Sequence, residues 1–145
     1  MRIAVIADTH DRLPAHVSAA VAAADEIWHL GDVCDEALLE GVKNLGPPVR
    51  VVRGNCDSCL DWPLGLEFAL EGYRISLVHI PPRHAPPKID LLFHGHTHVP
   101  RRERIGSTTF FNPGCITRPN RGAPASYAWL ELHRGEAPGW KLELV

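Results

Sequence analysis

Aspartate, asparagine and histidine residues occur in this chain in short motifs that combine them with glycine or threonine. In order, the motifs are Asp8-Thr9-His10, Gly31-Asp32, Gly54-Asn55, His79 and Gly95-His96-Thr97-His98. Carboxylate and carbonyl oxygens suit hard divalent cations, and imidazole nitrogens extend the choice to manganese, iron and zinc. Seven such side chains exceed what one tetrahedral metal ion can use. The set therefore predicts two metal ions that share a bridging carboxylate.

The spacing of these motifs favours convergence of their side chains. In an extended segment residues i and i+2 point to the same side, so Asp8 with His10, and His96 with His98, are each expected to aim two donors inward. Glycine allows sharp turns and a close approach of the backbone to an ion or a phosphate. It stands directly before three of the donors, namely Asp32, Asn55 and His96.

The donor motifs of the first half follow segments that the sequence predicts to be β-strands. Arg2–Ala7, Glu26–Leu30 and Val49–Arg53 are short, largely apolar runs, and each leads into one of the motifs. Helices are predicted over 15–24, which is rich in alanine, and over 35–44. This alternation favours a parallel sheet with right-handed crossovers, in which ligands bind beyond the carboxyl ends of the strands. The first four donors are therefore expected at one edge of a sheet.

The second half of the chain predicts a second sheet. Its strand-like segments are 66–70, 73–79, 89–93, 101–105, 108–111, 126–133 and 140–144. The first two flank Glu71-Gly72 and are expected to form a hairpin. Between His79 and Ile89 lies a proline-rich loop, Ile80–Lys88, whose prolines exclude a regular helix. No repeat or linker separates the two halves, so we expect a single domain over 1–145.

The composition is that of an ordinary globular chain. With 145 residues, of which 45% are hydrophobic, the chain can bury a substantial core. Its formal net charge of −2 offers no general attraction to nucleic acid or to a membrane, and no apolar run approaches the ~20 residues of a membrane span. We expect a cytoplasmic protein whose cysteines are free thiols. These are Cys34, Cys56, Cys59 and Cys115.

Taken together, the motifs resemble those of the calcineurin-like metallophosphoesterase superfamily and, within it, the YfcE-type group of small phosphodiesterases. The resemblance includes Gly54-Asn55-Cys56-Asp57, Asn112-Pro113-Gly114-Cys115 and the stretch 118–127, so it covers nearly the whole chain. It implies a four-layer α/β/β/α sandwich of two mixed sheets. It also implies a metal-dependent phosphoesterase, in the first place a phosphodiesterase that acts on small phosphodiesters.

The resemblance also implies roles for the seven donors. One metal ion would be held by Asp8, His10, Asp32 and His98, and the other by Asp32, Asn55, His79 and His96, with Asp32 as the bridge. Of these, the residues that we expect to be catalytic are Asp32, Asn55 and His79. Two cations about 3.5–4 Å apart generate hydroxide from a shared water and stabilise the charge of an in-line displacement. Manganese is the expected metal, with iron, zinc, nickel and cobalt as alternatives.

The chain departs from the family pattern at three places. Cys56 stands where many members have a histidine that protonates the leaving group, and a thiol of pKa about 8.5 is a poor substitute. His79 is followed by Ile80-Pro81 where the family usually continues with Gly-His. The proline-rich loop replaces a helix, so one outer helical layer is expected to be reduced. The sheet face left uncovered favours a homodimer.

Several residues have a simpler interpretation beside the functional one. Cys56-x-x-Cys59 is typical of zinc or redox sites, but no second pair completes a four-thiolate site. Asp57 either orients a neighbour of the metals or stabilises a turn. Arg121 either clamps a phosphate or is a solvated loop arginine. We predict substrate contacts for Cys56 and Arg121.

Two other classes of function remain alternatives. The first is a non-catalytic metal-binding scaffold, because a subunit of the eukaryotic retromer coat shares the fold of the resembled family. A residue able to ligate at every family metal position favours the enzyme over this scaffold. The second is a nuclease, which the lack of an evident basic groove disfavours. We therefore expect a small phosphate ester as the substrate and no specific nucleic acid partner.

Overall fold

The computed structural model of the chain covers residues 1–145 and consists of ten strands and two short helices. The elements are β1 (Arg2–Ile6), α1 (Ala15–Val21), β2 (Glu26–His29), α2 (Glu36–Lys43), β3 (Val49–Val51), β4 (Gly65–Leu70), β5 (Tyr73–Val78), β6 (Leu91–Phe93), β7 (Arg101–Ile105), β8 (Thr108–Asn112), β9 (Ser126–Glu131) and β10 (Gly139–Leu144). The helices have 7 and 8 residues, and neither could span a membrane.

The first sheet has the strand order β10-β9-β1-β2-β3. The strands β1, β2 and β3 are parallel, as the alternation of strands and helices predicts. The last two strands join the far side of β1 as an antiparallel pair. Both helices cover one face of this sheet, where Val17 and Val21 of α1 and Val42 of α2 pack with Ile6 and Ile27. The opposite face is free to pack against the second sheet.

The second sheet has the order β4-β5-β6-β8-β7 and mixes parallel and antiparallel pairs. Its inner face forms the main core with the first sheet. Trp28 of β2 inserts between two aromatic rings of this face, with ring centroids 5.2 Å from Phe93 and 5.6 Å from Phe68. The predicted sandwich of two mixed sheets is therefore confirmed.

The outer face of the second sheet carries no helix, so the predicted reduction of one helical layer is complete. The apolar residues of this face, Leu92 and Phe110, are nonetheless buried, because Ile89 and Ala85 of the connecting segment pack on them. The guanidinium of Arg101 stacks on the Phe110 ring at 4.6 Å. The apolar face on which a dimer was expected to form is thus largely covered within one chain, and the homodimer stays a prediction.

Candidate metal centre

All seven predicted donors lie at one edge of the two sheets, on the loops that follow β1, β2, β3, β5 and β6. Four of them form a tight group, in which one ligand atom each of Asp8, His10, Asp32 and His98 lie within 4.8 Å of one another. The Nε2 atom of His98 is 3.2 Å from the Oδ1 atom of Asp8. On the other side, Nε2 of His10 is 3.8 Å from Oδ2 of Asp32. This group corresponds to the first predicted metal position.

The remaining donors gather around the side-chain oxygen of Asn55. This Oδ1 atom lies 2.9 Å from Nε2 of His79 and 2.9 Å from Nδ1 of His96. His79 is also 3.4 Å from the Oδ1 atom of Asp32. Asp32 therefore has one carboxylate oxygen on the His79 side and the other on the His10 side. This is the position that a bridging carboxylate requires.

Hydrogen bonds to backbone carbonyls fix which nitrogen of two histidines faces the centre. Nδ1–H of His79 donates to the carbonyl of Leu30 at 2.7 Å, and Nδ1–H of His98 donates to the carbonyl of Arg118 at 2.6 Å. When the rings are neutral, the Nε2 atoms of both therefore present lone pairs toward the carboxylates, whereas a protonated His79 donates from Nε2 instead. Such second bonds are typical of metal-binding histidines, because they orient the ring and set its tautomer.

One buried carboxylate oxygen receives no hydrogen bond, which indicates that the site requires a positive charge. The Oδ1 atom of Asp8 is buried and accepts no hydrogen bond, although His79 and His98 surround it. Their Nε2 lone pairs can satisfy this oxygen only through a shared cation or an added proton. The mixture of carboxylate, amide oxygen and imidazole is the donor set of manganese, iron or zinc. The residues present therefore fit a pair of divalent metal ions.

The pKa values of the two carboxyl groups shift in opposite directions. Burial raises the pKa of Asp8 to about 6, although His79 and His98 act against it. Burial also acts to raise the pKa of Asp32, but hydrogen bonds from His79 and from the backbone N–H of Cys56 hold it well below its usual range. Asp32 consequently keeps its negative charge at every pH of interest, as a ligand shared by two cations must.

The histidines of the centre also differ in their environment. Burial lowers the pKa of His10 and of His96, which favours the neutral imidazole that binds metal. For His79, burial acts to lower the pKa, but the hydrogen bonds to Asp32 and Leu30 raise it above its usual value. A proton on His79 therefore stands in for positive charge when no metal is bound.

The loops that carry the ligands have unusual backbone conformations. Five of the predicted ligands have a positive φ, namely Asp8 (55°), His10 (41°), Asp32 (55°), His96 (68°) and His98 (58°). The segments are thus not extended, and the alternation rule does not explain why their side chains converge. Instead, left-handed turns aim them inward. Such conformations cost of order 1–3 kcal/mol for residues other than glycine and cluster at functional sites.

Backbone hydrogen bonds hold these turns against one another. The N–H of Asp8 donates to the carbonyl of Gly31, and that of His10 donates to the carbonyl of Asp32, each at 3.0 Å. The loops after β1 and β2 thus form one unit. Gly95, in turn, donates its N–H to the carbonyl of His79 at 3.1 Å, which joins the two ligand loops of the second sheet.

At Gly54 and Gly95, side chains of predicted ligands approach the backbone so closely that only glycine fits. A Cβ atom on Gly54 would lie 2.1 Å from the Oδ1 atom of Asp32. A Cβ atom on Gly95 would lie 2.9 Å from the Oδ2 atom of Asp8. Both distances are shorter than real Cβ contacts allow, so these glycines serve the close approach that the sequence motif predicts.

Asp57 has a larger role than the sequence indicates. Its carboxylate accepts three backbone N–H groups, from Asp32 at 2.9 Å, Cys34 at 2.8 Å and Gly54 at 2.7 Å. It thus connects the loop that carries Asp32 to the loop that carries Asn55. The sequence does not indicate this role, because Asp32 and Cys34 are 25 and 23 residues away from Asp57 along the chain.

The two predicted substrate contacts lie beside different residues of the centre. Cys56 is exposed, and its backbone N–H donates to the Oδ1 atom of Asp32 at 2.8 Å. Arg121 lines a cleft beside His96.

Cys34 is a neighbour of the centre that the sequence did not predict, since its Sγ atom lies 3.5 Å from Nδ1 of His10. Only the proximity of Cys34 to Asp32 in the sequence could have indicated this.

His29 is a buried histidine that supports the site without facing it. The N–H of Gly31 donates to its Nδ1 atom at 3.2 Å, so its Nε2–H donates to the hydroxyl of Thr9 at 3.0 Å. Burial lowers the pKa of His29 to about 4. These contacts give His29 a structural role.

Comparisons with known proteins agree with this geometry. The phosphodiesterase YfcE of Escherichia coli K12 is 35% identical over a match that covers 90% of this chain and 88% of YfcE. Its solved structure superposes with a TM-score of 0.76 at 30% identity, with 90% of this chain and 88% of the other covered. A probable metallophosphoesterase of Methanocaldococcus jannaschii is 34% identical, with 82% of this chain and 70% of the relative covered.

A more distant likeness concerns the fold alone. The structure of Vps29 from Entamoeba histolytica in complex with zinc superposes with a TM-score of 0.78 at 19% identity. The superposition covers 99% of each chain. The family model of the calcineurin-like phosphoesterase superfamily domain matches residues 1–135. The chain therefore belongs to the calcineurin-like phosphoesterase superfamily and is a metal-dependent phosphoric ester hydrolase.

Proposed function

We propose that the protein is a phosphodiesterase that hydrolyses small phosphodiesters with two divalent metal ions bridged by Asp32. The observation that carries this proposal is the position of Asp32 between two groups of donors, His10 on one side and His79 on the other. The metal ions supply a nucleophile at neutral pH and neutralise the phosphoryl charge when bound. Manganese as the metal and the cytoplasm as the location stay predictions.

The chain's own residues hold and orient the reactants in this proposal. Asp32 and Asp8 supply the negative charge that binds the cations, and the hydrogen bond from Cys56 keeps the Asp32 carboxylate ionised. Asn55 offers its side-chain oxygen between His79 and His96. Its amide N–H₂ group faces the exposed Cys56 side, where we expect it to donate to a phosphoryl oxygen of the substrate.

The test is an activity screen on chelated protein that is reconstituted with single metals. We expect bis(p-nitrophenyl) phosphate to be hydrolysed more efficiently than p-nitrophenyl phosphate, with the highest rate in manganese. His98→Asn is the variant for the first metal position and His96→Asn for the second. A lack of turnover with every metal, combined with normal metal binding, would show that the protein is a scaffold instead.

The nuclease alternative needs a separate measurement. The chain as a whole is slightly acidic, with a formal net charge of −2, so a long polyanion gains little from general electrostatic attraction. We expect no cleavage of single-stranded DNA under conditions in which bis(p-nitrophenyl) phosphate is turned over. Rapid cleavage of such DNA would contradict the preference for small substrates.

A further inference from the structure

A polar cleft of about 450 Å³ opens directly beside the metal ligand His96. Besides His96, its wall includes His94, Arg101, Asn120 and Arg121. Only His96 belongs to the proposed metal centre, so the cleft extends the site in one direction. A substrate whose phosphate lies at the metals can reach this cleft with one of its two ester arms.

The loop that presents Arg121 is attached to the metal centre through His98. The N–H of Asn120 donates to the carbonyl of His98 at 3.1 Å, and Nδ1–H of His98 donates to the carbonyl of Arg118 at 2.6 Å. Arg121 itself has a φ of 51°, and its N–H donates to the Oδ1 atom of Asn120 at 2.8 Å. These hydrogen bonds fix the backbone of the loop at Arg121 relative to His98.

The cleft carries a net positive charge. The guanidinium of Arg101 forms an ion pair with Glu103, with Nη2 and Oε2 2.6 Å apart, and its Nη1 donates to Nε2 of His94 at 3.3 Å. The guanidinium of Arg121 takes part in none of the ion pairs of the structure. Two arginines therefore line the cleft, and of these only Arg101 has its charge paired, although the chain as a whole is slightly acidic.

Another cleft beside the metal centre differs in composition. It has a volume of about 360 Å³, borders Asn55 and His79, and includes Leu64, Ile80 and one arginine, Arg53. Leu64 and Ile80 are 67% and 56% exposed. The cleft at Arg121 has two arginines and one apolar residue in its wall, whereas this one has one arginine and three apolar residues. The cleft at Arg121 is therefore the more basic and polar of the two.

We propose that the cleft at Arg121 binds a second phosphate group of the substrate, so that the preferred substrates are diesters with an additional phosphate on one arm. The proposal rests on the phosphodiesterase function proposed above. Metal ions held at the centre would neutralise the phosphate that is cleaved, so a second phosphate needs a cation of its own. Arg121 can supply this cation, since a free guanidinium binds phosphate oxygens in a bidentate manner. Asn120 adds an amide donor beside it.

Two esters that differ by one phosphate test this proposal. They are the p-nitrophenyl esters of thymidine 5′-phosphate with and without a 3′-phosphate. We expect kcat/KM of the manganese-loaded protein to be about tenfold higher for the 3′-phosphorylated ester. This is the gain expected from one charge-assisted pair of hydrogen bonds between Arg121 and the added phosphate. Arg121→Gln should bring the ratio close to one, and Arg121→Lys should restore part of it.

The matched control is Arg104→Gln, at an exposed arginine of β7 whose Nε–H donates to the carbonyl of Gly106. It removes the same charge from the chain and should leave both kcat/KM values unchanged. A wild-type ratio near one, or a ratio that persists in Arg121→Gln, would overturn the phosphate subsite. Turnover of bis(p-nitrophenyl) phosphate in the same preparation shows that the proposed function itself still holds.

Calorimetry decides the case in which no ester is hydrolysed. Manganese-loaded protein is titrated with thymidine 5′-phosphate and with thymidine 3′,5′-bisphosphate. We expect the bisphosphate to bind about tenfold more tightly, and the difference to disappear in Arg121→Gln. Equal affinity of the wild-type protein for both nucleotides would refute the subsite independently of any activity.

Discussion

The backbone N–H of Asp32 donates a hydrogen bond of 2.9 Å to the Oδ2 atom of Asp57. Asp57 is not itself a predicted metal ligand. Its side chain nevertheless holds the loop that carries Asp32, the proposed bridge. The same carboxylate accepts the N–H of Gly54 and of Cys34. The geometry of two ligand loops thus depends on one side chain.

We predict that Asp57→Asn weakens metal binding by about tenfold to a hundredfold, as is usual for partners that orient metal ligands. Asparagine offers one acceptor oxygen where three N–H groups need partners, so at least one buried donor loses its bond. Metal affinity is measured by competition with a chelator. The control is Asp61→Asn, at an exposed position of the same connection; equal behaviour of the two variants would contradict the role of Asp57.

Asp32→Asn should reduce activity more than loss of any terminal ligand does. A bridging carboxylate contacts both cations and offsets their charge, so we expect kcat to fall at least about tenfold further than in His98→Asn. Metal analysis should show less than two ions per chain. Two bound ions together with near-normal turnover in Asp32→Asn would mean that another group is the bridge.

Cys56→Ala should be tolerated, with kcat within about tenfold of the wild-type value. Burial and the Asp32 carboxylate raise the pKa of the Cys56 thiol, so it stays neutral and is a weak proton donor. The contact that matters, the N–H of residue 56 with Asp32, is kept in alanine. Diesters with nitrophenolate leaving groups should therefore outpace alkyl diesters in both proteins. A loss of about 10³ in kcat with unchanged metal content would assign the thiol a direct catalytic role.

Gly54→Ala should abolish most activity, because the added Cβ atom would lie 2.1 Å from the carboxylate of Asp32 and 2.3 Å from its backbone nitrogen. Metal content and kcat are measured together, and both should fall by more than about tenfold. Gly41→Ala is the matched control, since nothing lies within 4 Å of a Cβ atom there. In helix α2 this control should raise stability by about 0.5–1 kcal/mol. An active Gly54→Ala protein would show that the loops can separate.

The stability of the metal-free protein should fall as the pH is lowered, in part because of His29. Its pKa is about 4 in the folded chain and 6.5 as a model value, so the unfolded chain takes up the proton first. The contribution of His29 to the free energy of unfolding is complete above pH 6.5 and is lost as the pH falls toward 4. This contribution is at most about 3 kcal/mol. Urea unfolding with a chelator present measures this.

His29→Gln should remove that part of the pH dependence, since glutamine stays neutral. His16→Gln, in an exposed position of α1, is the control and should keep the wild-type slope of stability against pH. If His29→Gln shows the same slope as wild type, the charge of His29 is unimportant to folding and its hydrogen bonds to Thr9 and Gly31 act only through geometry.

The sequence predicted where the metal centre lies, but not the backbone conformations that bring its side chains together. Asp8, Asp32 and Asn55 lie together because parallel strands end at a common edge, which the alternation of strands and helices indicates. The left-handed turns at Asp8 and His96 could not be predicted, because hydrogen bonds between distant loops enforce them. The contacts of Asp57 escaped prediction for the same reason.

Helix boundaries show a similar limit. The alanine-rich stretch 15–24 favours a helix throughout, yet α1 ends at Val21. The N–H groups of Ala23 and Ala24 instead form turn bonds to Ala20 and Val21, since the chain must reverse direction before β2. Tertiary structure here overrides the helix propensity of alanine. By contrast, the end of α2 agrees with the glycine and prolines that follow it closely.

The arrangement of the strands also determines when the protein can first become active during its synthesis. Strand β1 lies between β2 and β9, and Ile3 pairs with Leu130, so the first strand obtains its second neighbour only after β9 has been synthesised. The predicted ligands themselves extend from residue 8 to residue 98. A nascent chain therefore exposes Asp8 and Asp32 long before the histidines of the second sheet have emerged from the ribosome. Such dependence on distant pairings slows folding, and the full set of predicted ligands can come together only after His98 has emerged.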